Sequence, residues 1–298
     1  MHILVTGSKG QLGSELQYLA NSKADSHWHF TFVDLDLLDI TQMSQVSEMF
    51  AKNKFDVCIN CAAYTAVDKA ESDVEKAIQV NVYAVENLAI KCNEYKVKFL
   101  HISTDYVYHS LHNLPYKESD DTDPKSVYGL SKLRGEQKAF AYCQQVIVVR
   151  TSWVYSSFGH NFIKTMLRLA DEKSSLGVVF DQIGSPTYAR DLAAALLQIV
   201  KFGEANPDFQ WNDVYHYSNE GVCSWYDLAA YCFDYTNKTI QLSPLETSEY
   251  PTAAERPAYS VLNKNKIKKT FGIHIPHWTE SLKACLDLLI HKDGGSHS

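Results

Sequence analysis

The sequence lacks the features that would place it in a membrane or in an oxidising compartment. No segment approaches the roughly 18 to 20 consecutive apolar residues that span a bilayer. The first residues, Met1–Gly7, form an apolar strand pattern without the charged and apolar regions of a signal peptide. Seven cysteines, an odd number scattered along the chain, are typical of reduced thiols. We therefore expect a cytoplasmic protein without membrane contact.

Basic residues are also too few for a nucleic-acid-binding protein, which would carry a basic face. Lys and Arg number 28 against 35 Asp and Glu, so the net charge is -7. The 45% hydrophobic and 21% charged fractions are those of a globular protein and exclude a disordered chain. An anionic metabolite is not excluded, because a few well-placed donors can bind one.

The candidates for a metal site are weak. They are one cysteine pair and two histidine pairs: Cys58 and Cys61, His109 and His112, His274 and His277. The cysteines lie in an apolar stretch with no second pair close by, so buried strand cysteines are the favoured interpretation. Neither histidine pair has a further ligand at a familiar spacing. The sequence therefore predicts no metal site.

Short apolar strand patterns alternate with helical patterns over the first half of the chain. The strands are predicted at 3–5, 30–33, 56–60, 97–102 and 146–149. The helices are predicted at 11–20, 41–52, 74–95 and 127–142, and Thr41 is the expected N-cap of the second. Such alternation is typical of βαβ units with right-handed crossovers, and predicts an α/β, doubly wound parallel-sheet Rossmann fold.

The alternation becomes less regular after about residue 155, which suggests a second unit. We expect residues 1–155 to form an NAD(P)-binding Rossmann domain, with segments at about 178–217 returning to it. Residues 156–298 are expected to form mainly a smaller C-terminal α/β substrate domain, with the active site in the cleft between the two.

A glycine-rich turn follows the first predicted strand and precedes the first helix, with the spacing GxxGxxG. Gly7 would permit the tight turn, Gly10 would let a pyrophosphate approach the backbone, and Gly13 would let the helix pack closely. The helix N-terminus would supply free N–H groups to the phosphates. The alternative is a plain βα turn. We expect cofactor contacts from Gly7, Lys9, Gly10, Gln11, Leu12 and Gly13.

Two residues give opposite indications of cofactor preference. Asp34 ends the second strand, about 20 residues after the glycine turn, where an acid binds the adenosine ribose and repels the extra phosphate of NADP. Lys9 would attract that phosphate. The sequence therefore predicts use of NADPH or NADH without a preference. Asp39 and Ile40 are candidates to flank the adenine, although Asp39 could instead be a turn or capping acid.

Tyr128 and Lys132 are four residues apart in a predicted helix and so share one face. An adjacent ammonium lowers the pKa of a tyrosine, which is normally about 10, and makes it a usable proton donor to a developing alkoxide. Thr104 or Ser103, at the carboxyl edge of the sheet, could hydrogen-bond a substrate carbonyl. The alternative is an ordinary aromatic–lysine pair on a surface helix.

Residues 3 to about 290 resemble the extended short-chain dehydrogenase/reductase family and, within it, the reductases that act on dTDP-4-dehydro-L-rhamnose. Besides the glycine turn, the stretches that carry the resemblance are Asn60–Glu71, Ser103–Tyr108, Tyr128–Glu136, Arg150–Tyr155, Asn161–Leu167, Asp181–Thr187 and Arg256–Leu262. The stretches around 65–71 and 150–155 are much more specific than the general dehydrogenase motifs.

The resemblance implies reduction of the 4-keto group of dTDP-4-dehydro-β-L-rhamnose to dTDP-L-rhamnose by hydride from a nicotinamide. It implies that Tyr128 gives the proton, that Lys132 holds the nicotinamide ribose and tunes Tyr128, and that Thr104 positions the carbonyl oxygen. It further implies cofactor contacts at Ala62, Ala63 and Tyr64, and substrate contacts at Val67, Asp105, Trp153 and Arg256.

The chemistry of two implied substrate residues fits such a ligand, although each has an ordinary structural alternative. Trp153 could stack on an apolar ring face, or be a core aromatic. Arg256 could bind a diphosphate with two parallel hydrogen bonds, or form a surface ion pair. Asn81 could support a proton path or simply hydrogen-bond the backbone.

The sequence departs from the family pattern at two informative places. Tyr106 stands where related 4,6-dehydratases carry a Glu base, which favours simple reduction over water elimination. Glu15 fits one position of a magnesium-built dimer known in the family, but Arg190 and the His291–Lys292 end do not supply the others. We therefore expect no metal-built dimer, and a monomer or weak homodimer.

Two other functions remain open from sequence. One is another nucleotide-sugar reductase or epimerase of the same fold. The other is a non-catalytic, cofactor-binding regulatory subunit. The intact Thr104, Tyr128 and Lys132 weigh against the second without excluding it, because cofactor binding alone can preserve them.

Overall fold

Six parallel strands form the central sheet, in the order β10-β5-β4-β3-β1-β2. The structure is a computed structural model and describes residues 1–23, 25, 27–109 and 113–293, so His112 lies outside the described residues. The described strands are β1 (His2–Thr6), β2 (His29–Val33), β3 (Val57–Asn60), β4 (Lys98–Thr104), β5 (Val146–Thr151), β6 (Val154–Tyr155), β7 (Ser175–Val179), β8 (Ile183–Gly184), β9 (Thr187–Tyr188), β10 (Asn212–His216), β11 (Cys223–Ser224) and β12 (Gln241–Leu245).

Helices cover both faces of this sheet. The described helices are α1 (Gln11–Lys23), α2 (Met43–Lys52), α3 (Val67–Ala70), α4 (Val74–Ile78), α5 (Ala84–Glu94), α6 (Val127–Tyr142), α7 (Phe162–Glu172), α8 (Ala189–Ala205), α9 (Trp225–Tyr235), α10 (Asn265–Phe271) and α11 (Trp278–Asp293). Side chains alternate along a strand, so Ile3 and Val5 pack with α1 and α8 while Leu4 packs with α2 and α5. The predicted doubly wound fold is confirmed.

The predicted long helix at 74–95 is interrupted in the middle. A π-helical segment, Gln79–Tyr83, separates α4 from α5. It places Asn81 in the interior, where the side-chain amide accepts from the Tyr64 backbone N–H at 2.8 Å and donates to the Ser131 hydroxyl at 3.0 Å. α6 passes so close that a Cβ on Gly135 would lie 2.1 Å from the Asn81 carbonyl oxygen. Asn81 thus joins the loop after β3 to α6, and it does hydrogen-bond the backbone.

The C-terminal half builds a second apolar cluster beside the sheet. α7, α9 and α11 surround it, and the short strand pairs β7–β12, β8–β11 and β6–β9 border it. The segment containing α8 and β10 returns to the large sheet, where β10 pairs with β5. All seven cysteines are free thiols. Within the part of the chain that the structure describes, no helix is long and apolar enough to cross a membrane.

Candidate active site

A cavity of about 580 Å³ opens at the carboxyl edge of the sheet. Parallel sheets bind ligands at this edge, because the loops that follow the strands meet there. The residues that line it include many to which the sequence assigned a cofactor, catalytic or substrate role: Gly10, Gln11, Leu12, Gly13, Ala63, Val67, Ser103, Thr104, Asp105, Tyr128, Lys132, Trp153 and Arg256. The structure therefore brings the glycine turn, the Tyr–Lys pair and the expected substrate residues into one space.

The glycine turn has the geometry of a dinucleotide cradle. Gly7 has a φ of +67°, and a Cβ there would lie 2.6 Å from the Ala62 nitrogen. A Cβ on Gly13 would lie 2.2 Å from the Gly7 carbonyl oxygen, so α1 packs tightly against the turn. A Cβ on Gly10 would meet only that same oxygen, at 3.3 Å, and Gly10 lines the cavity. Any larger residue at Gly10 would project toward the space that a pyrophosphate would need.

The predicted adenosine residues lie outside the lined cavity and make contacts of their own. The Asp34 carboxylate accepts from the backbone N–H groups of Lys9 and Leu35, both at 2.8 Å. The Lys9 ammonium lies 2.8 Å from Asp36 in an exposed ion pair. Asp34 thus fixes the glycine turn through the Lys9 backbone, while the ammonium of Lys9 is already paired with a carboxylate. Asp36 is a third charged group that the sequence arguments missed.

Asp39 takes the role of a turn acid. Its Oδ1 accepts from the Thr41 backbone N–H at 3.0 Å and from the Thr41 hydroxyl at 2.7 Å. The prediction that Thr41 caps the next helix is therefore wrong, since α2 begins at Met43 and its cap residue makes no side-chain hydrogen bond. Ile40 is buried in the core beneath this turn.

Removing the charge of Asp36 tests the cofactor preference. In Asp36→Asn, Lys9 loses its ion-pair partner and becomes available to a 2′-phosphate. We expect the ratio of NADPH to NADH affinity to rise about two- to five-fold, the scale of an exposed ion pair. Fluorescence titration with both cofactors measures this ratio. Glu48→Gln removes a comparable exposed carboxylate, paired with Lys52 far along α2, and should leave the ratio unchanged. An unchanged ratio in Asp36→Asn would show that Lys9 does not meet the phosphate.

Tyr128 lies beside Thr104, and burial decides its protonation. Burial raises the pKa of Tyr128 to about 12, the Thr104 hydrogen bond opposes this rise, and the nearby Asp105 carboxylate adds to it. The direction is opposite to the predicted lowering by Lys132. The ammonium of Lys132 instead donates to the Ile102 carbonyl oxygen at 2.7 Å. Tyr128 is therefore a fully protonated phenol at neutral pH.

Lys132 is buried, and the sequence around it supplies a compensating charge. Burial lowers its pKa to about 8, and the Glu136 carboxylate, one helical turn further along α6, opposes this change. Glu136 is in turn paired with Arg150 of β5: Nη2 donates to Oε2 at 2.6 Å and Nε to Oε1 at 2.9 Å. Both partners of this ion pair are buried.

The expected substrate residues face the cavity from different elements, and two of them have partners. Arg256 forms a bidentate ion pair with Asp68 of α3, with distances of 2.7 and 3.1 Å. Trp153 stacks on Trp225 with ring centroids 3.6 Å apart, so one of its faces is covered. The backbone of Trp153 has a φ of +47°, an uncommon conformation for a bulky residue. The surrounding contacts hold it there, which is typical of functional sites.

Sequence reasoning missed Trp225 and Asn161, which also line the cavity. Trp225 is the first residue of α9 and follows its N-cap, Ser224, which forms a capping box with Asp227. A capping box marks the start of a helix, so this pattern places Trp225 at the N-terminal end of α9. Asn161 caps α7 and donates to the Gln11 side chain at 2.9 Å. It thereby links the glycine turn to the C-terminal half.

Asp105 is a buried acid whose titration should be visible in stability. Burial raises its pKa to about 6, above the ordinary value of 3.8. Folding thus favours the protonated form, so the contribution of Asp105 to stability is complete below pH 3.8 and is lost as the pH rises through about 6. At pH 7.5, Asp105→Asn is expected to raise the unfolding free energy by about 2 kcal/mol.

Urea denaturation at several pH values measures this effect. The difference between Asp105→Asn and the unchanged protein should vanish near pH 4 and grow toward pH 7. Asp123→Asn, at an exposed carboxylate paired only with Lys125, is the matched control and should show no such trend. A difference independent of pH would contradict the raised pKa.

Known proteins are similar to this chain in sequence and in fold. The RmlD substrate binding domain family matches residues 1–290. A dTDP-4-dehydrorhamnose reductase of Aggregatibacter actinomycetemcomitans is 40% identical over 287 residues, covering 94% of this chain and 97% of the relative. The Bacillus anthracis dTDP-4-dehydrorhamnose reductase, solved in complex with NADP, superposes with a TM-score of 0.89 at 35% identity, covering 96% of this chain and 99% of that one. The Clostridium acetobutylicum dTDP-4-dehydrorhamnose reductase superposes with a TM-score of 0.91 at 38% identity, covering 97% of this chain and 100% of that one.

The parallel sheet, with a glycine turn after its first strand and a Tyr–Lys pair on α6, defines an NAD(P)-dependent oxidoreductase of the extended short-chain dehydrogenase/reductase class. Sequence similarity assigns the chain to one family within this class. The chain belongs to the RmlD substrate binding domain family, over nearly its whole length.

Proposed function

We propose that the protein reduces the 4-keto group of dTDP-4-dehydro-β-L-rhamnose to dTDP-L-rhamnose with NADPH or NADH. The observation that carries this proposal is that Thr104 and Tyr128 line the same cavity as the glycine turn, Trp153 and Arg256. A cofactor end, a proton donor and a sugar-nucleotide end thus share one space, as the reaction requires. Relatives at 40% identity carry the name of this reductase.

The proton step falls to Tyr128. The bound nicotinamide would supply the hydride to the carbonyl carbon. As negative charge develops on the carbonyl oxygen, the Tyr128 phenol donates its proton to that oxygen, and a C–OH group results. The pKa of about 12 keeps Tyr128 protonated at neutral pH, and an alkoxide is basic enough to take this proton. The Thr104 hydroxyl, which lines the same cavity and donates to the Asp105 carboxylate at 3.0 Å, would position the carbonyl oxygen.

Cofactor residues divide between the pyrophosphate and the nicotinamide end of the dinucleotide. The glycine turn and the N-terminus of α1 would hold the pyrophosphate, and Lys132 would hold the nicotinamide ribose from α6. Ala63 lines the same cavity. The backbone N–H groups of Ala62 and Tyr64 donate to the side chains of Asn60 and Asn81, respectively. These two residues would therefore contact the cofactor through other atoms.

The substrate end would bind a sugar linked to a diphosphate. Two N–H groups of Arg256 donate to the Asp68 carboxylate, and its other N–H groups could donate to an anion. Trp153 and Val67 offer apolar surface to the sugar. Asp68 holds the Arg256 fork in place before substrate arrives, which reduces the ordering cost of binding.

Removing the Arg256 charge should weaken substrate binding more than it slows the chemical step. We expect Arg256→Leu to raise KM about 10- to 100-fold, the scale of a charge-assisted hydrogen-bond pair, and to change kcat less than about three-fold. Steady-state kinetics with the dTDP-sugar measure both. Arg134→Leu removes a cation that does not line this cavity and serves as the control. A KM that does not change would remove Arg256 from the substrate end.

The function is tested by following NADPH and NADH oxidation with freshly made dTDP-4-dehydro-L-rhamnose. Oxidation with dTDP-rhamnose as the product supports the proposal. Turnover of a different nucleotide sugar would favour a sister reductase or epimerase. Cofactor binding without any turnover would favour a regulatory subunit. Dehydration is disfavoured, because burial raises the pKa of the Tyr106 phenol and leaves it without the charge of a carboxylate base.

Three expectations from sequence stay predictions. The first is the division into two domains, residues 1–155 with returning segments at about 178–217, and residues 156–298. The second is the cytoplasmic location, and the third is a monomer or weak homodimer. Against a metal-built dimer stand the contacts of Glu15, whose two carboxylate oxygens accept from Ser156 at 2.6 Å and from Arg190 at 2.7 Å. Both oxygens are thus occupied by partners within the same chain.

A further inference from the structure

A buried histidine that the proposed mechanism does not use lies next to Lys132. His101 belongs to β4, three residues before Thr104, and its side chain is buried. Its Nε2 lies 3.5 Å from the Lys132 Nζ, at the limit of hydrogen-bond distance. The imidazole is neutral, because burial and the Lys132 ammonium hold its pKa well below its usual range. A neutral ring carries one proton, so one of its nitrogens donates and the other accepts.

A chain of hydrogen bonds through β1 and β3 decides which nitrogen carries that proton. The Asn60 Oδ1 accepts from the Ala62 backbone N–H at 3.1 Å and from the Thr6 hydroxyl at 2.6 Å. Since a backbone N–H can only donate, the amide oxygen of Asn60 must face Ala62. The amide nitrogen therefore faces the His101 Nδ1, at 3.1 Å, and donates to it. Nδ1 is the acceptor, and the ring proton lies on Nε2.

This tautomer directs an N–H group at the Lys132 Nζ. An ammonium has only donors, and one of them is already given to the Ile102 carbonyl oxygen. Two donors facing each other disfavour the ammonium form of Lys132. A neutral amine has a lone pair, so it can accept from the Nε2–H group. The contact thus stabilises the amine relative to the ammonium.

We propose that His101 is a positioning residue, held as the Nε2–H tautomer by the Thr6–Asn60 chain, that sets the pH at which Lys132 loses its charge. The proposal rests on the proposed function only in that Lys132 serves the cofactor. It extends the site inward by three residues on adjacent strands, β1, β3 and β4.

Other groups around Lys132 act in known directions. On α6, the Glu136 carboxylate favours the ammonium, and Arg150 of β5 pairs with Glu136. The Cys61 thiol, after β3, is protonated because burial raises its pKa, so it places no charge beside Lys132. Burial lowers the Lys132 pKa to about 8 against the opposing effect of Glu136. None of these groups changes in the variants that follow.

The tautomer can be measured directly in the unchanged protein. Labelling with [15N]histidine distinguishes a protonated ring nitrogen from an acceptor nitrogen by chemical shift, and the His101 signals are assigned by their loss in His101→Asn and in His101→Gln. We expect a protonated Nε2 and an acceptor Nδ1 across neutral pH. A protonated Nδ1, or a ring protonated on both nitrogens at pH 7, would overturn the proposal. This measurement needs no substrate and no turnover.

Two matched variants test the effect on Lys132. His101→Asn places an amide near the position of Nδ1, so it keeps a partner for Asn60 and removes the donor to Lys132. His101→Gln reaches the position of Nε2 and can keep that donor. In [13C]lysine-labelled protein, with the signal assigned by Lys132→Met, we expect the Lys132 pKa to rise by about half a unit to one unit in His101→Asn. In His101→Gln it should stay near that of the unchanged protein.

The outcomes separate the possible roles of His101. An unchanged Lys132 pKa in His101→Asn would make the residue merely structural, and a lowered pKa would mean that the ring accepts from Lys132. Either result overturns the proposal. If the reductase activity of the proposed function is established, the alkaline limb of kcat/KM should move upward by the same amount. If that activity fails, the two NMR measurements still decide the proposal. Should His101→Asn not fold, the tautomer measurement in the unchanged protein is decisive.

Discussion

Tyr128→Phe is expected to lower kcat by about 100- to 10,000-fold, because it removes the group that donates a proton to the developing alkoxide. The Phe ring fills the same space, so the cavity and the contact with the Tyr106 ring should persist. NADPH affinity should therefore change less than about two-fold, since the phenol hydroxyl is a small part of the cofactor contact. Single-turnover kinetics and fluorescence titration measure the two quantities separately.

The control for this variant is Tyr83→Phe, which removes a hydroxyl from an exposed tyrosine outside the cavity. It should keep full activity. If Tyr128→Phe retains more than about a tenth of the turnover, then another group or water supplies the proton. In that case Asp105, protonated below pH 6 or so, is the next acid in the cavity.

Arg150→Met should cost about 3 to 5 kcal/mol of unfolding free energy, the scale of a buried ion pair that loses one partner. Methionine leaves the Glu136 carboxylate buried without the guanidinium that donates to both of its oxygens. It also removes the donor to the Tyr108 hydroxyl. Urea denaturation measures the loss, and the slope of the transition should stay unchanged if only the native state is affected.

Two further variants identify the buried charge as the cause. Adding Glu136→Gln to Arg150→Met removes the uncompensated charge, and most of the lost stability should return. Arg168→Met breaks an exposed pair with Glu172 on α7 and should change the free energy by less than about 0.5 kcal/mol. Equal losses in the single and double Arg150 variants would mean that packing, and not the carboxylate, accounts for the cost.

The fold was accessible from sequence because each strand of the sheet is a short apolar run between helical patterns. The five strands predicted in the first half coincide with β1 to β5 within a few residues. The break at Gln79–Tyr83 was not accessible in this way, because its residues fit a regular helix. It depends on the close approach of α6 at Gly135, a tertiary contact that leaves no local pattern.

The residues that line the candidate site were predictable from sequence where they belong to one local motif. The glycine turn and the four-residue interval between Tyr128 and Lys132 are properties of one segment each, and both line the cavity. The stack of Trp225 on Trp153 and the fork of Arg256 on Asp68 join segments far apart in sequence. The pKa of Tyr128 was predicted in the wrong direction because burial, which depends on the whole fold, outweighs the neighbouring charge.

The π-helical segment also constrains how the length of this chain can change. A regular helix turns about 100° per residue, so removing one residue from Gln79–Tyr83 would rotate everything before it by about that angle relative to α5. Asn81 could then no longer reach both Tyr64 and Ser131. Single-residue deletions here would separate the loop after β3 from α6 even though no lining residue of the cavity is lost. Family members that preserve the cavity should therefore conserve the spacing of this segment more strictly than its residue types.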